Sequence, residues 1–250
     1  MAAIDPDLLL RAYAIGVFPM SDSRDAPETY WVEPQDRAIL PLDGFKLSRS
    51  LAKRLRSDAF QVTADAAFSE VVRRCAERPE TWINGEIEQS YNRLHALGHA
   101  HSIECWQDGK LVGGLYGVAL GAAFFGESMF SVSRDASKVA LAWLVARLKA
   151  GGYGLLDCQF MTPHLASLGA VEISQQDYIS SLSSAISGSG SSGGGAARTG
   201  GAARTGGAGL RAAAPPPEFG ALDALLASSA GGSEVSPPGW IIAQLLGQTS

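Results

Sequence analysis

Two carboxylates of this chain stand inside apolar runs, where a charged group is costly. Glu127 lies in the run FFGESMF, and Asp157 lies in the run LLDCQF. An isolated charge on an apolar strand costs several kcal/mol unless it is paired or hydrogen-bonded. Strand alternation places Asp157 and Gln159 on one face and Cys158 on the other. With Glu127 on a neighbouring strand, these groups would form an acidic pocket with apolar walls, suited to a ligand that joins a basic group to an apolar one.

A second interpretation of the two acids stays open. Each could neutralise a buried basic side chain, for instance Lys138 or Arg134, and so serve stability alone. The residue types and their spacing do not separate this structural interpretation from the functional one.

A basic cluster precedes these runs. Five basic residues fall within eleven positions, namely Lys46, Arg49, Lys53, Arg54 and Arg56. Ser48 is a good N-cap, and in the helix that it predicts, Arg49, Lys53 and Arg56 share one face. That face is either simply solvated or a contact for an RNA backbone. Contact with RNA is supported by three aromatic residues that could stack on bases, namely Tyr30, Trp31 and Trp82.

Metal and thiol chemistry are not indicated. His95, His99 and His101 span a predicted helix end and strand start, so no single face presents all three, and we predict no metal site. The three cysteines form no CxxC pair, which favours a reduced protein without a disulfide framework. Cys158 could be imagined as a nucleophile with His164, but its mid-strand position favours a buried, inert thiol.

Composition predicts a soluble cytoplasmic protein. The chain has 250 residues, 46% of them hydrophobic, and a net charge of −5, which disfavours indiscriminate nucleic-acid binding. The N-terminal residues lack the basic and apolar regions of a signal peptide. No apolar run reaches the length that a membrane span needs.

The pattern of elements predicts an α+β fold. Asp5 and Pro6 should start a first helix, and further helices are expected over 48–56, 66–78, 86–97, 135–150 and 178–186. The turn Asp108-Gly109 between alternating apolar runs predicts a β-hairpin, followed by strands over 122–132 and 154–161. Gly, Ser, Ala and a doubled AARTGG predict a disordered linker at 187–217. The apolar tail at 218–250 could dock on the body.

Together these segments resemble the bacterial leucyl/phenylalanyl-tRNA–protein transferases. The match runs in order over residues 8–180, and its most specific parts are YNRLHALGHAHSIE and GESMFS. The remaining matching pieces are LLLRAYAIGVFPM, YWVEPQDRAILP, LSRSLAKRLR, LVGGLYGVAL, ASKVALAWL, LLDCQF and HLASLGAVEI.

The resemblance implies a fold and an activity. The fold would be a small N-terminal domain (1–45) followed by a domain like the GNAT acetyltransferases (46–186) with a central, mainly antiparallel sheet. The activity would be transfer of Leu, Phe and less often Met from aminoacyl-tRNA to proteins with N-terminal Arg or Lys, which marks them for N-degron degradation. No coenzyme or metal is implied, because the aminoacyl ester is already activated.

The resemblance also implies site residues. Glu127, Asp157 and Gln159 match acceptor-binding and catalytic positions, with Asp157 polarising Gln159 so that its carbonyl orients the attacking amine. The pocket for the aminoacyl side chain would be formed by Phe124, Leu115, Met129, Leu141 and Leu156. Trp82 matches an aromatic that holds the terminal adenosine, and Trp31 one of two adjacent tryptophans, of which the second is replaced by Val32.

Two alternative functions remain at the level of sequence. One is an acyl-CoA-dependent N-acyltransferase on the same scaffold, although the segment SVSRDASK lacks the glycine-rich pyrophosphate loop that such an enzyme needs. The other is a non-catalytic adaptor for N-terminal Arg or Lys, which would leave the basic helix and the aromatics without a role.

Overall fold

The computed structural model describes residues 3–188, 215–230 and 236–247. Most of the linker predicted at 187–217 therefore lies outside the described residues. The strands in chain order are β1 (Phe18–Met20), β2 (Tyr30–Val32), β3 (Asp36–Ile39), β4 (Gln61–Ala64), β5 (Ala100–Gln107), β6 (Lys110–Leu120), β7 (Ala123–Ser131), β8 (Leu155–Gln159) and β9 (Val171–Ser174).

The helices in chain order are α1 (Pro6–Ala14), α2 (Arg49–Arg56), α3 (Phe68–Ala76), α4 (Gly85–Ala96), α5 (Ala136–Ala150), α6 (Pro163–Ser167), α7 (Gln175–Ile186), α8 (Ala221–Ala230) and α9 (Pro238–Gly247), with a short 3₁₀ turn at Leu42–Gly44. The predicted caps are present. Asp5 accepts from the backbone N–H of Leu8, and Ser48 accepts from that of Leu51. Within the described ranges, no helix combines the length and apolar composition needed to cross a bilayer.

Seven strands form one large sheet in the order β4-β5-β6-β7-β8-β3-β9, and β1 pairs with β2 separately. All pairings in the large sheet are antiparallel except that of β7 with β8. The predicted hairpin of β5 and β6 turns at Asp108-Gly109, where both residues have positive φ, 51° and 71°. The α+β class with a mainly antiparallel central sheet is therefore confirmed.

Strand β3 lies in the range predicted for the small N-terminal domain, yet it belongs to the large sheet. It fills the gap between β8 and β9, with Ile39 opposite Asp157 and Asp36 opposite Ser174. This short segment, which lies between Pro34 and Pro41, becomes a strand because β8 and β9 both hydrogen-bond to its backbone. Consequently, the first forty residues supply β3, the strand that pairs directly with β8, and β8 carries Asp157.

The sheet separates two apolar layers. One face packs against α5, α2 and the C-terminal helices, around residues such as Phe124, Leu144 and Leu156. The other face packs against α1, α3, α4 and α7, around Tyr13, Tyr91 and Phe125. Side chains that alternate along β7 and β8 therefore project into different layers, and this decides which of them can meet.

The C-terminal segments pack on the body. Phe219, Leu222 and Ile242 are buried in the layer of α5. Arg147 in the last turn of α5 is buried and donates two hydrogen bonds to Asp223 of α8, each 2.6 Å long. The N-terminus of α9 touches the end of α2, where the backbone N–H of Gly239 donates to Asp58 at 3.0 Å.

Candidate active site

A cavity opens where β7 and β8 stop pairing. The two parallel strands are in register only as far as Phe125 and Asp157, and beyond that point they separate. The cavity between them has a volume of about 420 Å³. Its wall combines an apolar side with a polar edge that includes Glu127 and Gln159.

Glu127 is aimed by a β-bulge. Tyr116 of β6 pairs with Ser128 and Gly117 pairs with Gly126, so Glu127 is the extra residue on β7. A bulge redirects side chains that regular alternation would point elsewhere. Here Glu127 turns towards α1 and α4, where Tyr13 donates to its Oε1 at 2.7 Å and Tyr91 donates to its Oε2 at 2.8 Å.

Burial makes this carboxyl a poor acid. Loss of hydration raises the pKa of Glu127 to about 7, against the lowering effect of hydrogen bonds from Tyr13 and Tyr91. The neighbouring charge of Asp157 raises the pKa further, and that of Arg37 lowers it. The carboxyl group therefore exchanges its proton near neutral pH while it lies in the cavity wall.

Asp157 has a different environment from the one that we predicted. It is fully buried and does not line the cavity. Arg37 of β3 donates to Oδ1 from Nε at 2.9 Å and to Oδ2 from Nη2 at 2.6 Å, and Tyr178 donates to Oδ2 at 2.8 Å. The buried-pair interpretation thus describes Asp157, but with Arg37 as the partner. Neither basic residue that we suggested is involved, because Lys138 and Arg134 lie beside Asp135.

Gln159 connects the two acids. Its backbone N–H donates to Oδ1 of Asp157 at 2.8 Å, and its side-chain amide donates to Oε1 of Glu127 at 3.3 Å. The backbone of Gln159 is left-handed, with φ of 57°, a conformation that a non-glycine residue adopts only when its surroundings hold it. With the amide N–H turned to Glu127, the carbonyl oxygen has no hydrogen-bond partner in the described part of the chain and is available to a ligand.

Four of the five predicted pocket residues line the apolar side of the cavity. They are Leu115, Met129, Leu141 and Leu156, joined by Leu144 and Leu165. The fifth, Phe124, does not line it. Its ring stacks on Phe219 at 5.7 Å and fills the space beside Gly117 of β6.

The three aromatic residues lie in different environments. Trp82 lines the cavity and is half-buried. Tyr30 and Trp31 on β2 are 43% and 41% exposed and are absent from the cavity wall. Met20, opposite Tyr30 in the β1–β2 pair, does line it, so this small sheet borders the cavity without placing Trp31 there.

The basic cluster on α2 and just before it is exposed. Its solvent-facing members are Lys46, Arg49, Lys53 and Arg56, and none of them has a carboxylate partner among the described residues. The guanidinium of Arg56 lies 5.8 Å from the ring of Trp240 on α9. The uncompensated charge on this helix contrasts with the negative net charge of the whole chain and leaves it free to bind an anionic partner.

The histidines and the cysteine carry no comparable arrangement. His101 bonds Asp65 at 2.7 Å and His95 bonds the carbonyl oxygen of Ala100 at 2.8 Å. Across the described ranges, no group of His, Cys, Asp and Glu is placed to hold a metal ion. Cys158 lines the cavity, but burial and the charge of Asp157 raise the pKa of its thiol, which keeps it protonated.

Comparison with known proteins adds independent information. Residues 2–35 match the family model for the leucyl/phenylalanyl-tRNA protein transferase N-terminal domain, and residues 39–183 match the model for leucyl/phenylalanyl-tRNA protein transferase. The chain belongs to this family. A leucyl/phenylalanyl-tRNA–protein transferase from Rhizorhabdus wittichii is 62% identical over 259 residues and is covered completely, as is this chain.

Further relatives of this transferase family match the body of the chain. One from Zymomonas mobilis is 65% identical over 188 residues, which cover 74% of this chain and 70% of the relative. Among solved structures, FemX superposes with a TM-score of 0.47 at 12% identity, over 67% of this chain and 66% of FemX. The family models and the transferase relatives confirm the sequence resemblance that we described.

Proposed function

We propose that this protein transfers Leu or Phe, and less often Met, from aminoacyl-tRNA to the N-terminal Arg or Lys of acceptor proteins in the cytoplasm, and so marks them for N-degron degradation. The observation that carries the proposal is one cavity that joins an apolar wall to the Glu127–Gln159 pair. The apolar wall can bind the side chain of the aminoacyl group, and the Glu127–Gln159 pair can bind the attacking amine.

The reaction exchanges an ester for an amide. The acceptor's α-nitrogen forms a bond to the aminoacyl carbonyl carbon, the bond from that carbon to the ribose oxygen breaks, and a proton ends on the ribose oxygen. The ester is already activated, so no covalent enzyme intermediate is needed. The protein's contribution is positioning of the two substrates and stabilisation of charge.

The acceptor's amine must lose a proton before it attacks. Glu127 is the carboxylate in the cavity wall, and its pKa of about 7 suits a group that takes a proton near neutral pH. The free carbonyl oxygen of Gln159 accepts a hydrogen bond from the same amine and orients its lone pair. Asp157 acts indirectly, because its oxygens are occupied by Arg37, Tyr178 and the backbone N–H of Gln159.

The apolar wall selects the aminoacyl side chain. Leu115, Met129, Leu141 and Leu156 form an apolar side of the cavity, which suits Leu, Phe or Met and disfavours polar side chains that would lose their hydration there. Phe124 supports this wall from the core instead of touching the side chain.

The tRNA would bind through two further features. Trp82 at the cavity offers a stacking surface to the 3′-terminal adenine. The exposed basic residues Lys46, Arg49, Lys53 and Arg56 offer contacts to phosphates of the acceptor arm. Trp31 is exposed outside the cavity wall, and any contact that it makes would be with a more distant nucleotide.

The direct test is transfer of labelled Phe from Phe-tRNA to a peptide that starts with Arg, with the same peptide starting with Glu as the matched control. We expect label only on the first peptide. Absence of label on both would overturn the proposal. A parallel reaction with acetyl-CoA in place of Phe-tRNA should leave the peptide unmodified, whereas acetylation would indicate an acyl-CoA-dependent enzyme.

A further inference from the structure

Arg78 is the only Lys or Arg in the wall of the cavity, within the residues that the structure describes. It follows α3, is exposed to solvent, and also lines a second, shallower groove of about 370 Å³. We call the border between the cavity and this groove the mouth of the cavity. The groove and the cavity share Arg78 and Met129. A chain that enters the cavity from the groove must therefore pass the guanidinium.

The guanidinium is held in place with part of its donor capacity unused. Nε donates to the carbonyl oxygen of Cys75 at 3.2 Å, while Nη2 donates to Oγ of Ser128 and to the carbonyl oxygen of Met129. Nη1 has no partner in the described part of the chain, and no carboxylate pairs with Arg78 there. Because only carbonyl and hydroxyl oxygens of the described residues hold the side chain, its orientation is fixed and no acidic partner among them compensates its positive charge.

We propose that Arg78 binds the 5′-phosphate of the 3′-terminal nucleotide of the aminoacyl-tRNA. The inference rests on the proposed function, since it concerns the same donor substrate. Its ligand is a phosphodiester oxygen, which a guanidinium binds with short, charge-assisted hydrogen bonds.

The positions of the neighbouring groups favour the phosphate over the reacting ester. The aminoacyl side chain fills the apolar wall, and the ester carbon lies beside Glu127 and Gln159. Ser128, which accepts a hydrogen bond from Arg78, follows Glu127 directly and projects from the same bulge. The 5′-phosphate is separated from the ester by one ribose. When the adenine stacks on Trp82 and the ester lies at Glu127 and Gln159, this phosphate therefore lies at the mouth of the cavity, beside Arg78.

The test uses two minimal donors that differ only in this phosphate, 3′-O-phenylalanyl-adenosine and its 5′-monophosphate. With the native protein, we expect kcat/KM for the phosphorylated donor to exceed that for the other by about tenfold. In Arg78→Gln the ratio of the two values should fall to about one. Arg78→Lys keeps the charge and should retain part of the preference, and Arg73→Ala, an exposed and ion-paired arginine on α3, should retain all of it.

The outcomes separate the inference from the proposed function. Transfer from both donors at equal rates by the native protein would overturn the role of Arg78 and leave the transferase activity intact. Equal losses with both donors in Arg78→Gln would also overturn it, because that result indicates stabilisation of the ester oxygen or support of β7. No transfer from either donor or from Phe-tRNA would overturn the proposed function itself.

Discussion

Arg37 and Asp157 form a fully buried ion pair that ties the N-terminal segment to the strand of the active site. The guanidinium donates to both carboxylate oxygens, at 2.9 and 2.6 Å, and a third donor on Arg37 bonds the carbonyl oxygen of Gly16 at 2.9 Å. The aromatic ring of Tyr178 lies 4.4 Å from the guanidinium carbon. Asp157 therefore fixes β3 against β8 and holds the backbone of Gln159 in its left-handed conformation.

We expect Asp157→Ala to destabilise the protein strongly, because it leaves Arg37 buried and unpaired. Loss of one partner of a buried pair costs about 3–5 kcal/mol of unfolding free energy. Urea unfolding followed by circular dichroism measures this. Asp43→Ala is a suitable control, since Asp43 is 85% exposed in its own ion pair and should cost little.

The double variant Arg37→Met/Asp157→Leu separates folding from function. It removes both charges, so we expect most of the stability to return. Transfer should stay low, because Gln159 loses the acceptor for its backbone N–H. A stable double variant with native activity would show that the pair has no role in positioning Gln159.

Local signals in the sequence were sufficient for much of the fold. Asp108-Gly109 determines a tight turn by itself, and Asp5 and Ser48 cap their helices through bonds only three residues long. By contrast, β3 and β9 have four residues each and no clear alternation. Their structure comes from pairing with distant strands, which sequence periodicity does not report.

The candidate site was predictable in its acids but not in their partners. An acidic residue in an apolar run draws attention to Glu127 and Asp157, because the cost of burial is a local property. Tyr91 lies on the buried face of α4, and its hydroxyl bonds a carboxylate 36 residues away, a contact that no local pattern reports. Arg37 stood in a segment without a predicted element, and its burial depends on β3 joining the sheet.

The pH dependence of transfer should report Glu127. As a proton acceptor it must be ionised, so kcat/KM for the acceptor peptide should rise with pH and level off above its pKa of about 7. In Tyr91→Phe, the carboxylate loses a hydrogen bond that lowers its pKa, so we expect the rise to move by about one unit to higher pH.

Tyr116→Phe is the matched control for this measurement. Its buried hydroxyl has no hydrogen-bond partner among the described residues, and the centroid of its ring lies 5.3 Å from that of Tyr91. Its removal should leave the pH profile in place. The acceptor's own amine titrates in a similar range. A profile identical in Tyr91→Phe and native protein would therefore assign the rise to the peptide and not to Glu127.

Leu141→Ala should change the choice between donors. The substitution enlarges the apolar end of the cavity, which costs contacts to a Leu side chain and makes room for Phe. We expect the ratio of kcat/KM for Phe-tRNA to that for Leu-tRNA to rise roughly tenfold. Phe124→Leu should lower the unfolding free energy without changing the ratio, because Phe124 lies outside the cavity wall; a changed ratio would place it in the pocket after all.

Arg49→Ala/Lys53→Ala should weaken tRNA binding without affecting the chemistry. Both side chains are exposed on α2, so folding should be unaffected. If each contacts one phosphate, the slope of log affinity against log salt concentration should fall by about two. Transfer from 3′-O-phenylalanyl-adenosine should stay at the native rate. An unchanged salt slope, as expected for the control Arg73→Ala, would indicate that α2 is merely solvated.

Asp223→Ala tests whether the C-terminal helices stabilise the active-site domain. The side chain of Arg147 is 3% exposed, whereas that of Asp223 is 61% exposed. The substitution therefore lowers the unfolding free energy because it leaves the buried guanidinium of Arg147 without its acidic partner. We expect a loss of about 2 kcal/mol, which lowers the melting temperature by roughly 4–8 °C. Because α5 carries Leu141 and Leu144 of the cavity wall, activity should disappear at a correspondingly lower temperature. Ser228→Ala, which changes only a bond within α8, should melt as the native protein does. If the two variants melt together, α8 contributes nothing to the stability of α5.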